Sequence, residues 1–184
     1  MEESVNNNVQ GLMDAGYFAT KKPAPNVPEE NIDEIIEHVQ EPASLLDAIR
    51  DKFSLIAVDK RQYSPLTLAF IGDGVYDLVV RTIVVERANA NPNSLHKKKT
   101  DIVKAQTQAA CADVLQPVLT EEELAVYKRG RNAHSHSTAK NASIGDYRKA
   151  TGLEALYGYL YLTGQSDRML ELIAMSLEMT GVEV

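Results

Sequence analysis

The stretch Ser64-Pro65-Leu66-Thr67-Leu68-Ala69-Phe70-Ile71-Gly72-Asp73-Gly74-Val75-Tyr76-Asp77-Leu78-Val79-Val80-Arg81 decides how the rest of the chain is read. Between Gln62 and Val80 its only charges are Asp73 and Asp77. Serine followed by proline is a helix start: the hydroxyl caps free N–H groups, and proline lacks an N–H where none is needed. The pattern predicts a helix over 65–87. Its oddity is Asp73, set between Gly72 and Gly74. A glycine inside a helix costs about 1 kcal/mol relative to alanine. Close approach of something to the backbone is the expected reason.

A second stretch has the same character: Thr151-Gly152-Leu153-Glu154-Ala155-Leu156-Tyr157-Gly158-Tyr159-Leu160-Tyr161-Leu162. Glu154 is the only charge between Thr151 and Ser166, and Gly158 follows one turn later. An isolated carboxylate in an apolar helix is expensive unless it is paired or binds a cation. Two such carboxylates, brought together by helix packing, would make a hard-oxygen site. Mg²⁺ suits it, because that ion needs few protein carboxylates and keeps several waters. Spacing alone leaves solvated, purely structural acids as an equal alternative. Asp77, one turn from Asp73, could share its face or pair with Arg81; a supporting role is expected.

Outward from these stretches the pattern is helical throughout. Residues 1–28 hold an asparagine run and a proline-rich linker. Ile32, Ile35, Ile36 and Val39 predict a short acidic helix over 29–40, and another is expected over 44–53. One helix is predicted over 94–118, with Ile102, Ala105, Ala109, Ala112 and Leu115 on one face. Thr120 with Glu123 forms a capping box for a helix to about 128. A polar loop is expected over 130–143, then helices over 145–162 and 166–179. No repeat and no alternating strand pattern occurs. The fold class is all-α, with an acidic N-terminal extension (1–60) ahead of one domain (61–184).

The net charge of −7 is unevenly spread. Residues 1–59 carry 4 Lys and Arg against 12 Asp and Glu, whereas 60–149 carry 14 against 9. A basic middle can hold nucleic acid whatever the total charge, because the local field decides. The single cysteine, Cys111, reads as core and points to a reducing, cytoplasmic setting. No signal sequence or membrane span is recognisable, so no membrane partner is expected.

The segment 64–81 resembles the signature helix of the ribonuclease III catalytic domain, and Asp146-Tyr147-Arg148-Lys149-Ala150 through Leu162 resembles its second signature. Arg129-Gly130-Arg131-Asn132-Ala133 matches the Mini-ribonuclease III subgroup, which lacks a separate double-stranded-RNA-binding domain. The resemblance covers about 62–178. It departs from the wider family at Ala69 and Thr151, where that family has Glu and Asp, and Asp77 stands where the subgroup often has Glu. The resemblance implies the helical bundle of that catalytic domain and an Mg²⁺-dependent endoribonuclease that cuts double-stranded RNA. It makes Asp73 and Glu154 the catalytic metal ligands, leaves 5′-phosphate and 3′-hydroxyl ends, and implies a homodimer. It further implies precursors of large-subunit (23S) ribosomal RNA as substrate, and a ribosomal protein as a partner. A catalytically inactive RNA-binding member is the alternative, against which retention of both carboxylates speaks.

RNA would then be gripped by Lys97, Lys98 and Lys99, and by Lys128, Arg129, Arg131, Asn132 and the loop to Lys140. Duplex RNA is read mainly through phosphates, 2′-hydroxyls and shape. A solvated helix face is an equal reading of the lysine run. Arg129 to Asn132 is favoured because its polar groups are expected to open a loop. His134 and His136 lack a third metal ligand nearby. Tyr157 and Tyr161 read as core or as lining for the site or a dimer seam.

Overall fold

Capping residues set where the helices begin. The structure, a computed structural model, describes residues 44–56, 58, 59, 62–134 and 143–183. Helix α1 (Leu45–Lys52) is capped by Ser44, and α2 (Pro65–Arg87) by Ser64, whose Oγ accepts from the Thr67 N–H at 3.0 Å. Asn91 caps α3 (Pro92–Val103) in the same way, again with proline next. Helix α4 (Ala105–Leu115) runs into a 3-10 turn, Gln116–Val118. Thr120 and Glu123 make the expected reciprocal capping box of α5 (Glu121–Asn132). Ser143 caps α6 (Ile144–Leu162), and α7 (Ser166–Met179) closes the order. All regular structure among the described residues is helical. None of these helices is long and apolar enough to cross a membrane. The helix expected over 29–40 lies outside the described residues.

Two expectations need correcting. The single helix over 94–118 is two, because Lys104 turns extended, with ψ 150°. The carbonyls freed by the break are taken by side chains of the following turn: Thr107 Oγ1 donates to Asp101 O at 2.8 Å and Gln108 Nε2 to Val103 O at 2.9 Å. The apolar face continues across the break, with Ile102, Ala109, Ala112 and Leu115 all buried, so periodicity conceals it. The second correction is at α5, which continues to Asn132 rather than ending near 128. Gly130 is buried, and a Cβ there would lie 2.6 Å from that of Ala155, so packing against α6 carries the helix on.

Helix α6 is central and packs on α2, α5 and α4. Its Leu153, Leu156, Tyr157 and Leu160 join Tyr76 and Val80 of α2, Cys111 and Leu115 of α4, and Leu172 and Ile173 of α7 in the main core. Each such leucine contributes about 1.5–3 kcal/mol by leaving water. A smaller cluster joins Leu68, Ala69, Val126 and Ala155. Helix α1 is tied on by Arg50, which donates to Leu162 O at the end of α6 at 3.0 Å.

The closest approach is between α2 and α6. A Cβ on Gly72 would lie 1.8 Å from the backbone oxygen of Glu154, and one on Gly158 2.0 Å from that of Leu68. The glycine expectation is thus met at Gly72 but not at Gly74, which has nothing within 4 Å. Gly158→Ala should therefore destabilise the fold by about 2 kcal/mol or more, as overpacked cores do. Gly74→Ala should stabilise it by ~1 kcal/mol through helix propensity. Urea unfolding of both variants checks this; a Gly158→Ala protein as stable as wild type would refute the backbone contact.

Candidate active site

The Gly72–Gly158 crossing brings together the two isolated carboxylates. Asp73 follows Gly72 on α2 and is exposed. Glu154 stands one turn before Gly158 on α6 and is half-buried, its backbone oxygen against Gly72. Burial first, and then the charge of Asp73, push the Glu154 carboxyl up to about 7, against a hydrogen bond from Gln108 that lowers it. Beneath them lie Tyr76 and Tyr157, stacked with ring centroids 5.3 Å apart. Both phenols are raised above their ordinary range by burial, and the Tyr76 hydroxyl has no hydrogen-bond partner among the described residues.

Gln108 is the member of this site that sequence reading missed. It is 2% exposed, and its amide nitrogen donates to Glu154 Oε1 at 3.0 Å. Its Oε1 is buried without a partner among the described residues, which costs about 1–3 kcal/mol. The available signal was a glutamine on the apolar side of an alanine-rich helix, one residue before Ala109.

The residues standing where the wider family carries further acids belong to the packing. Ala69 lies in the small core cluster, and buried Thr151 donates its hydroxyl to Tyr147 O at 3.0 Å. Among the described residues no three His, Cys, Asp or Glu side chains group as a metal cage. The oxygen donors at hand are those of Asp73 and Glu154. Two hard carboxylate ligands on rigid helices fit an Mg²⁺ ion that keeps most of its waters.

Asp77 sits apart from this pair in its bonding. Arg81 and Lys99 both ion-pair with it, Lys99 at 2.5 Å. Burial acts to raise its carboxyl, but the bonds and charges of Arg81 and Lys99 outweigh it and hold it below the usual carboxylate range. Lys99 is thereby turned inward, its side chain 14% exposed. Lys97 and Lys98, by contrast, are exposed on α3. Lys128, Arg129 and Asn132 are exposed on the last turns of α5, and Arg131 lies 5.9 Å over the Tyr127 ring. These groups therefore project from a helix rather than open a loop. The turn bearing the α5 groups packs through Gly130 on Thr151, Gly152 and Ala155. His134 is exposed, Tyr157 is fully buried and Tyr161 packs half-buried against the core. Lys140 and His136 lie outside the described residues.

A model of the ribonuclease III domain matches residues 66–165. Mini-ribonuclease 3 of Enterococcus faecalis is 44% identical over 125 residues, 67% of this chain and 95% of that one. Mini-ribonuclease 3 of Brevibacillus brevis is 50% identical over 115 residues, 62% of this chain and 86% of that one. A crystal structure of a Fusobacterium nucleatum protein superposes with a TM-score of 0.59 at 28% identity, covering 64% of this chain and 94% of that one. The chain belongs to the ribonuclease III family, in its Mini-ribonuclease 3 group, and is an endoribonuclease.

Proposed function

We propose that Asp73 and Glu154 hold Mg²⁺ and that the enzyme hydrolyses double-stranded RNA in the maturation of large-subunit (23S) ribosomal RNA precursors. The observation that carries the metal reading is the pair itself. Two otherwise isolated carboxylates flank a backbone contact and feel each other's charge, and the half-buried one is pushed up to about 7. A cation would relieve both the burial and the repulsion. Bound there, Mg²⁺ supplies positive charge for the phosphoryl oxygens and an activated water. Water attacks phosphorus and the 3′ oxygen leaves, giving 5′-phosphate and 3′-hydroxyl ends. Exposed Asp73 and half-buried Glu154 would hold the ion. With Ala69 and Thr151 in the packing, the site offers two carboxylates and is read as holding one ion. The rRNA substrate, a ribosomal protein partner and a cytoplasmic location rest on the family resemblance.

The RNA face is assigned to Lys97, Lys98, Lys128, Arg129, Arg131 and Asn132, which stand exposed or half-exposed on α3 and α5. One such site cuts one strand, so cutting both strands of a duplex calls for two copies. Phe70, 82% exposed one turn before Asp73, and Leu66, 40% exposed one turn earlier still, give a second copy an apolar face to cover.

Asp73→Asn and Glu154→Gln should each lower Mg²⁺-dependent cleavage of a long RNA duplex by ~100-fold or more, with unchanged circular dichroism. Full activity in both would refute the site. Glu154 also has a pH signature. Its folded carboxyl lies above its ordinary value of 4.5, so folding takes up a proton and stability falls as pH rises towards 7. Metal-free wild type should therefore lose melting temperature between about pH 5 and 8 more steeply than Glu154→Gln. Asp77 and Glu123, held low, act only at more acid pH.

Arg129→Ala with Arg131→Ala should reduce the slope of log affinity against log salt by about 1 to 2 for duplex RNA. An unchanged slope removes them from the interface. Phe70→Asp should convert a dimeric wild type to monomer in analytical ultracentrifugation; a wild type that sediments as monomer would refute the second copy.

A further inference from the structure

We propose that Gln108 is a positioning residue: its amide clamps one oxygen of Glu154 so that the other is held ready for the cation. This rests on the reading of Glu154 as a metal ligand.

The clamp is defined by what the amide can and cannot do. Gln108 Nε2 donates to Val103 O at 2.9 Å and to Glu154 Oε1 at 3.0 Å. Both partners are acceptors, so the NH₂ must face them; a flipped amide would set oxygen against two oxygens. The side chain is 2% exposed, so its amide faces protein atoms rather than water. It keeps this pose although its own Oε1 is left without a partner among the described residues.

The Val103 carbonyl is available because the chain breaks at Lys104. In an uninterrupted helix it would accept from the N–H of residue 107. With Lys104 extended, that carbonyl becomes an anchor, and the amide spans from it to the carboxylate. The break between α3 and α4 and the fixing of Glu154 are therefore one device.

An amide is also the right chemistry for the task. Lysine or arginine here would orient the carboxylate but neutralise it and repel a divalent cation. A neutral N–H orients the oxygen and leaves its charge for the ion. Groups that hold metal ligands in this way typically change metal affinity about 10–100-fold when removed.

The test is Mn²⁺ binding to the full-length, RNA-free protein, read by electron paramagnetic resonance of the free ion. Gln108→Met keeps the side chain's length and removes both donors. Thr107→Val removes the other side-chain bond across the break, Thr107 to Asp101, and leaves Glu154 untouched. The expected result is a Kd raised about 10–100-fold in Gln108→Met and changed by less than about twofold in Thr107→Val. Unchanged affinity in Gln108→Met, or equal losses in both, would overturn the proposal and leave Gln108 as a brace of the helix break. Glu154→Gln separates the two levels: if it binds Mn²⁺ like wild type, the metal-site reading itself fails and the clamp with it. Wild-type protein gives a second measurement if Gln108→Met does not fold. The Gln108 side-chain amide resonances should shift and saturate as Mg²⁺ is added; resonances that stay fixed while Asp73 and Glu154 respond would overturn the clamp.

Discussion

Two backbones touch where α2 crosses α6, and no side chain stands between them. With Gly72 against the Glu154 carbonyl and Gly158 against that of Leu68, the spacing of the helices is set by main-chain atoms alone. Helix spacing set by side chains is wider and depends on their rotamers. Here it depends on neither. Asp73, next to one glycine, and Glu154, one turn from the other, come together as a consequence. A second glycine contact, Gly130 against Gly152, fixes α5 on another side of α6.

The floor of the site explains why the pair is poised. Tyr76, whose phenol feels the charge of Glu154, stacks on Tyr157, and burial raises both phenols. Such a floor offers little to solvate a negative charge. A carboxylate over it is uncomfortable alone and correspondingly receptive to a positive ion. Nearby, the opposite solution operates: Glu123 is buried but lies under Arg168, which bonds it at 2.8 and 3.1 Å, and its carboxyl stays low. The buried acid has a cation within the fold, whereas half-buried Glu154 has only the neutral amide of Gln108.

Much of this was legible in the sequence because helices announce themselves locally. Ser64-Pro65, Thr120 with Glu123, and the run from Ser166 fixed three starts by capping and periodicity. Asp73 and Glu154 stood out as lone charges flanked by glycine. The break at Lys104 did not, since apolar spacing persists across it and its causes, Thr107 and Gln108, act through side-chain bonds to carbonyls. Gln108 was hidden for the same reason: its partner lies 46 residues away, and only packing joins them. Gly72 and Gly74 looked alike in the sequence; only the neighbouring helix distinguishes a required glycine from an open one.

The paired glycines have a mechanical consequence. Axial slip of α6 by one residue would bring Tyr157 or Tyr159 to the place of Gly158 against the Leu68 carbonyl, and Thr151 or Leu153 to the place of Gly152 against Tyr127. Both ends of the helix thus act as keyed stops. The α2–α6 packing cannot ratchet as sliding helices do in other proteins. On the proposed reading of the site, accommodation falls instead to the RNA, which would bend or widen its groove to meet a fixed pair of carboxylates. Selection among duplexes then becomes partly a matter of which helices deform cheaply.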